Sequence, residues 1–541
     1  MWLRLQAVRV IQPQPLLENR LDIHDRKQFE LKLEYQPSGT DPSSEYYVDA
    51  WLFLPANLNI DNHTWPRESF YADLHNYVRL KTPVLSFDDI LSGTHSPLVQ
   101  LEERLQLGLL GPESEVVYDA KMLSCVVRGA LRRFSRGMHE RCTQLARGAT
   151  TENGRAVAPK NLEQLEHLAR NSVRAVQEIL RRFRAVTTAL GQKYPLQERT
   201  RASCRLVDEY LSLTVEQFFR KTVVEMDQMP RTGIYIALRK ELMTVVIADE
   251  QYRKDNKLRS VISPTGDNEE YTHRIGFLKK FCMNILFLGV RRQSGRRNWE
   301  EMLFAIAAGV AMAFATAVAF FAQAKVPQAS LNFFLILVVG YMMKDRIKEG
   351  ARRIFSSFAS RHLYDRSTKI SDPVTDDRVG ICKEKVDYVA NNRVPDEISR
   401  LRRTDDFVTV SQGELAEAVI RYQKKIVLDS EMLPNMGGGI VSGVTDIIRL
   451  NIDRLLRDMD DPEYALEYVD MEDFTVEKVK GTKSYQVDIV FRFAVDDGEH
   501  KRITLQLVRL VLDRNGIKRM MRFDPEVMPD PRPSPSMRPV A

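Results

Sequence analysis

Cysteine is scarce in this chain: five residues in 541, at Cys125, Cys142, Cys204, Cys282 and Cys382. The number is odd and no two form a C-x-x-C pair, so the spacing offers neither a disulfide framework nor a zinc site and points to a reducing compartment. Also missing are a P-loop, a Rossmann glycine fingerprint, H-E-x-x-H, G-x-S-x-G, an EF-hand loop and the protein-kinase motifs, so no linear motif assigns a reaction, cofactor or metal. The first residues, MWLRLQAVRVIQPQP, lack the continuous apolar run of a secretory signal. No internal repeat is evident. Neither charge sign dominates, with a net charge of +6, and a 44% apolar share rules out wholesale disorder. A chain of this length exceeds one hydrophobic core, which predicts two to four units of about 100–200 residues each.

What is present, in the middle of a chain that is 28% charged, is a long uncharged block. Met302–Ala324 contains no charge, and its polar residues are Thr316 and Gln323. At about 1.5 Å per residue such a helix matches a hydrocarbon core of about 30 Å. A second run, Leu331–Met343, is shorter, is interrupted by Asn332, and borrows Val326–Ser330 to span. Arg291, Arg292, Arg296 and Arg297 precede the block; Lys344, Arg346, Lys348, Arg352, Arg353 and Arg361 follow it; Lys325 alone lies between the runs. By the positive-inside rule both flanks are cytoplasmic, with Trp299 and Tyr341 at the same interface. The alternative is a helical pair in a soluble core.

Small residues in the first run fall in two rows, Ala305, Gly309, Ala313, Ala317 and Ala307, Ala311, Ala315, Ala319. At 100° per residue the rows lie about 200° apart, on nearly opposite faces of one helix. One row suits close packing of the second run near Gly340; the other is left for a neighbouring subunit, which predicts self-association. Alanine as a tolerated filler is the competing explanation. Thr316 and Asn332 read as interhelical hydrogen-bonding groups rather than a transport path.

Outside this block the periodicity changes twice. QFELKLEYQ and EYYVDAWLFLPA alternate as strands, and HTWPRESFYADLHNYVRLKTP reads as a helix between Pro66 and Pro83. From Glu113, apolar stripes at helical spacing run through Val116–Leu145 and Leu162–Leu190, with further helices over Arg205–Phe219 and Ile234–Glu250. RIGFLKKFCMNILFLGVRR fits an interfacial helix or a buried soluble element. Beyond the block the helix should continue through KDRIKEGARRIFSSFASRHLYDR. FTVEKVKG, KSYQVDIVFRFAV, KRITLQLVRLVLD and IKRMMRF then read as an antiparallel meander with turns at KGTK, DDG and RNG. The expected divisions are a β-rich region 1–110, a basic helical bundle 111–260, a juxtamembrane segment 271–300, and a transmembrane helical hairpin 302–343. A post-membrane helix and mixed region 344–430, an α+β region 431–523 and a Pro-rich disordered tail 524–541 complete the chain.

Between Lys121 and Arg205 the chain carries 18 Lys and Arg against 6 Glu and no Asp. Arg128, Arg132, Arg133, Arg136, Arg170, Arg174, Arg181, Arg182 and Arg184 sit on the first two bundle helices. A solvated face is the default explanation of such a run. As a binding surface it would take an anionic lipid or an acidic protein; nucleic acid is not expected, because no RNA- or DNA-reading motif accompanies the arginines. Two further clusters carry little. Gly437, Gly438, Gly439 and Gly443 precede a predicted helix holding Val444, Ile448, Leu455 and Leu456, but no Lys-Ser/Thr completes a phosphate site. Asp458, Asp460, Asp461 and Glu463 lack the spacing of a calcium loop. His63, Glu68, Asp73 and His75 receive no role.

The expected fold is therefore an α+β membrane protein. It has a β-rich and helical-bundle cytoplasmic region, a two-helix transmembrane hairpin, and a C-terminal α+β region with an antiparallel meander. The expected function is a membrane-anchored, oligomeric interaction or signalling scaffold, integral to a bilayer with both termini cytoplasmic. An oligomeric channel lined by the alanine-rich run is the first alternative, opposed by the lack of polar lining residues. A membrane-tethered enzyme without a linear motif is the second.

Overall fold

A computed structural model describes residues 17–36, 43–107, 113–149, 159–227, 233–293, 295–325, 327, 330–373, 376–402, 417–429, 432, 441, 443–470, 475–496 and 501–523. In chain order the elements begin with β1 (Leu17–Asp25), β2 (Gln28–Tyr35), β3 (Ser43–Leu54), α1 (Arg67–Asp73) and β4 (Leu74–Leu80). Helices follow: α2 (Phe87–Ser92), α3 (Pro97–Leu107), α4 (Glu113–Ala149), α5 (Pro159–Lys193), α6 (Glu198–Met226), α7 (Gly233–Asp255) and α8 (Glu269–Met283). Then come β5 (Gly289–Gln293), α9 (Gly295–Lys325), α10 (Leu331–His362), β6 (Arg366–Ser371), β7 (Arg378–Val389), α11 (Asp396–Arg402) and β8 (Ala418–Asp429). The last strands are β9 (Val444–Asn451), β10 (Glu463–Val469), β11 (Val476–Thr482), β12 (Tyr485–Asp496), β13 (Lys501–Asp513) and β14 (Gly516–Phe523).

These elements fall into two units. The first comprises Met1–Val78, Gly289–Glu431 and Thr445–Ala541. Its main layer is an eight-stranded sheet in the order β14-β13-β12-β3-β8-β7-β6-β5, antiparallel throughout. A four-stranded sheet, β1-β2-β9-β4, supplies a second layer. Alternation sets the inward faces: Phe29, Leu31, Leu33 and Tyr35 of β2 are buried while Lys32 and Glu34 stay half-exposed. Phe29 stacks on Phe491 of β12 at 6.0 Å, and Tyr35 meets Tyr46 of β3 at 4.7 Å. Apolar side chains from both layers enclose a void of about 30 Å³, too small to leave the core loosely packed. Gly516, at φ +129, opens β14 where a Cβ would lie 2.1 Å from the Arg26 carbonyl oxygen; only glycine fits the turn after Asn515.

The second unit, Arg79–Leu288 with Met432–Val444, is helical. One continuous apolar core joins α2 to α8. Helix α6 is its centre: Val207, Leu211, Val215 and Phe219 are buried, but so are Glu209, Ser212 and Glu216 on other faces. A helix buried all round must satisfy its polar groups internally. Arg274 of α8 holds Glu209 through two hydrogen bonds of 2.6 and 3.1 Å. Arg253 of α7, 1% exposed, pairs with Glu216 and donates to Ser212 Oγ at 2.7 Å.

The expected two-helix transmembrane hairpin is not supported, and the fold is mixed α/β with large antiparallel sheets. Among the described residues one helix, over Glu301–Lys325, is long and apolar enough to cross a bilayer. Its partner α10 is apolar for 13 residues, then carries Lys344, Asp345, Arg346, Lys348 and Glu349. Spanning with both helices would draw these charges into the hydrocarbon beside α9, at a cost of about 2.5–3.5 kcal/mol for each Lys, Arg or Asp at the helix centre. A single crossing at α9 is excluded by connectivity. Strand β5 before it and β6 after it are antiparallel neighbours, and β3 pairs with both β8 and β12.

Local readings are corrected too. The run expected as one helix before Pro83 stops at Asp73 and continues as β4. The segment expected as a helix after the glycines is the buried strand β9, followed by one helical turn, Asp453–Leu456. Of the four expected C-terminal strands, β12, β13 and β14 are consecutive in the large sheet, whereas β11 pairs with β10 in a separate ribbon. Gly437, Gly438, Gly439 and the tail 524–541 lie outside the described residues.

Candidate functional site

Helices α9 and α10 form an antiparallel pair mounted on the β5–β6 edge of the large sheet. Their contact is made by small residues. Ala307 and Ala311 are buried and Ala315 and Ala319 half-buried, whereas Ala305, Gly309, Ala313 and Ala317 are exposed. Gly340 is the closest point: a Cβ there would lie 2.9 Å from Val318 Cγ1. The row Ala307, Ala311, Ala315, Ala319 thus seats α10, and no described element covers the opposite row, where a Cβ added at Gly309 would meet nothing within 4 Å. Thr316 and Asn332 are exposed and do not bridge the helices.

Only about a tenth of the residues in the most apolar part of α9 are buried. Phe314, Phe320, Phe321, Leu331, Phe334, Leu335, Val338, Val339, Tyr341, Met342 and Met343 all expose more than a third of their surface. A monomer in water rarely leaves so contiguous an apolar surface open. The pair's base is fastened by one carboxylate. Asp365, in the short link between α10 and β6, accepts from the Val386 N–H at 2.9 Å and the Tyr71 hydroxyl at 3.2 Å, and pairs with Arg67 at 3.4 Å. Arg366 lies over the Tyr71 ring at 3.9 Å. Burial, with the Asp365 charge next in effect, pushes the Tyr71 hydroxyl far above its usual range, so it stays a donor.

Between the two sheet layers lies a buried polar cluster that no sequence motif announces. Lys424 of β8 and Asp446 of β9 are both fully buried, with Nζ 2.7 Å from Oδ1, and the Tyr46 hydroxyl donates to Oδ2 at 3.4 Å. Beside them the Tyr422 hydroxyl donates to Glu384 at 2.6 Å, and the Asn76 amide donates to the same carboxylate. Burial would discharge Lys424, but Asp446 outweighs it and holds the ammonium charged, its pKa pushed up to about 12. Burial also raises Cys382, so its thiol stays protonated and unreactive. Lys424 and Asp446 are both fully buried where the two layers meet, so their pairing helps to fix how the layers pack.

The arginines of α4 and α5 divide between surface and pairing roles. Arg132, Arg133, Arg136, Arg174 and Arg181 are exposed, although Arg181 pairs with Glu178 at 2.6 Å and Arg133 donates to the Leu85 carbonyl at 2.9 Å. Arg128 is half-buried against the Tyr210 hydroxyl and the Phe218 ring. Arg182 clamps Glu102 of α3 and donates to the Leu91 carbonyl at 2.6 Å, while Arg184 pairs with Asp208 at 2.9 Å and Asp249 at 3.2 Å. The last two therefore hold helices together. Arg170 pairs with Glu166 and Glu241. Arg174, with Arg141, His167 and Asn171, borders a cleft of about 1030 Å³ whose walls also carry Glu163 and Glu178, giving it no single sign.

The acidic cluster is dispersed onto cations: Asp460 on Lys483, Asp461 on Arg514 at 2.6 Å, and Glu463 on Lys480 at 2.5 Å. Asp73 accepts from Trp65 Nε1 and Arg454. No group of His, Cys, Asp or Glu able to hold a metal ion occurs among the described residues. Comparison with protein-family models, with curated proteins and with solved structures finds no match.

Proposed function

We propose that the chain is an interaction scaffold anchored at a membrane by the apolar surface of the α9–α10 pair. The observation that carries this reading is the exposure of eleven large apolar side chains on the outer half of that pair. Burying a whole side chain of this kind is worth about 1.5–3 kcal/mol. Roughly half of each remains open, so covering them all is worth on the order of 10 kcal/mol. Lys325 near the turn opposes insertion by about 3 kcal/mol, which is too little to reverse the balance. Connectivity supports the arrangement, because the chain enters and leaves the pair at neighbouring strands and both flanking regions stay on one side of the bilayer.

The scaffold half of the proposal rests on the two units. Each has its own core, and the helical unit presents Arg132, Arg133, Arg136, Arg174 and Arg181 to a partner. Self-association along the open row Ala305, Gly309, Ala313, Ala317 belongs to the same proposal. Flotation of the purified full chain with phospholipid vesicles tests the anchoring. Co-migration with the vesicles is expected; recovery of the protein at the bottom of the gradient would overturn the reading.

A further inference from the structure

We infer that the α9–α10 pair enters only the near leaflet of the bilayer, and that a cationic collar on α10 selects anionic headgroups there. This rests on the anchoring proposed above. Val318 packs on Gly340 and Phe304 lies under the Arg352 guanidinium, which sets the pair's register. In that register the charged part of α10, Lys344–Arg353, runs alongside the inner half of α9, and both helices are free of carboxylates and arginines only beyond it. The outer apolar part is Leu331–Met343 on α10, 13 residues or about 20 Å long. One leaflet offers about 15 Å of hydrocarbon plus an interfacial layer of about 5–7 Å. The match is to a single leaflet.

The boundary is marked by chemistry as well as by length. Tyr341 and Lys344 stack, with Nζ 3.7 Å from the ring centroid, one at the apolar end and one at the charged end of the same turn. Amphipathic rings and snorkelling lysines both favour that depth. Lys344–Arg353 then presents five cations against Asp345 and Glu349. The acids are in contact with Lys344 at 3.9 Å and Arg352 at 3.8 Å, while Arg346 and Arg353 are exposed and form no ion pair with a described residue. Each such cation held at an anionic surface strengthens binding about fivefold.

The test uses the full chain with a fluorophore on Phe321→Cys near the turn or on Ile354→Cys near the base; the five native thiols are buried. Vesicles are phosphatidylcholine alone or with about 30% phosphatidylserine, a charge density that sets a clear negative surface potential. The inference expects tighter binding to the anionic vesicles. It expects the Phe321→Cys label to be quenched by deep-lying spin-labelled acyl chains and shielded from iodide trapped inside the vesicles. The Ile354→Cys label should be quenched by iodide added outside. Arg346→Gln/Lys348→Gln/Arg353→Gln should bind anionic vesicles about a hundredfold more weakly and neutral ones unchanged. Quenching of the Phe321→Cys label by internal iodide would overturn one-leaflet entry. Equal binding to both vesicle types would overturn the collar while sparing the anchor, and failure to bind either would overturn the anchor too.

Discussion

Replacing Lys424 by methionine removes the cation of the buried pair but keeps most of the side-chain volume. Asp446 then retains the Tyr46 hydroxyl at 3.4 Å as its remaining neutral donor. A carboxylate stranded in a core costs about 3–5 kcal/mol, the lower end if it escapes by taking up a proton. Lys424→Met/Asp446→Leu removes both charges and is expected to recover most of the loss, because a well-packed apolar pair replaces the ion pair at little net cost. The direction with pH follows from Lys424. Its folded pKa, about 12, lies above the ordinary 10.5, so the pair's contribution is complete below about pH 10 and fades as pH rises through 12. Urea unfolding of the full chain, followed by Trp51 and Trp65 fluorescence, reports the right region, since both indoles are buried in the sheet unit. A Lys424→Met chain within about 0.5 kcal/mol of the parent, or a double variant as unstable as the single one, would refute the reasoning.

Asp365→Ala unties the base of the helical pair and leaves the Val386 N–H and Tyr71 hydroxyl without that acceptor. Hydrogen exchange in β6 and β7 should rise with a loss of about 2–3 kcal/mol, while the helical unit's protection stays unchanged. Gly340→Leu forces a side chain against Val318 and should separate α9 from α10 at a cost of about 1–3 kcal/mol, read as increased exchange along Ala307–Ala319. The native thiols should resist iodoacetamide at pH 8, because burial raises Cys125 to about 12 and both Cys142 and Cys204 to about 11. Labelling of any of the three within minutes would contradict their placement.

How much of this was legible beforehand depended on whether burial and charge agreed. The bundle helices were readable because Val116, Leu123, Val127, Leu131, Phe134 and Met138 repeat at helical spacing and form one buried stripe. Strands β7 and β8 were hidden because their inward faces carry Glu384 and Lys424, which break the apolar alternation that identifies a strand. Strand β9 was misread because it is buried on both faces, and an unbroken apolar run does not separate strand from helix. The row of alanines that seats α10 was visible at the sequence level, and so was the polar stop after Met343. What composition did not show was their register: charges that look safely flanking along the chain lie beside the middle of α9 in space. Likewise Arg182 and Arg184 resembled surface cations until their acidic partners on α3, α6 and α7 were placed next to them.

The account turns on whether the α9–α10 pair carries the affinity for lipid. Gln293 of β5 and Ser367 of β6 are register partners, so residues 295–365 can be replaced by a two-residue Asn-Gly turn that closes the strands directly. In a sucrose gradient with phosphatidylserine-containing vesicles, the full chain should float and the closed-turn chain should stay at the bottom as a folded protein. A full chain that remains at the bottom, or a closed-turn chain that floats equally well, would contradict the account.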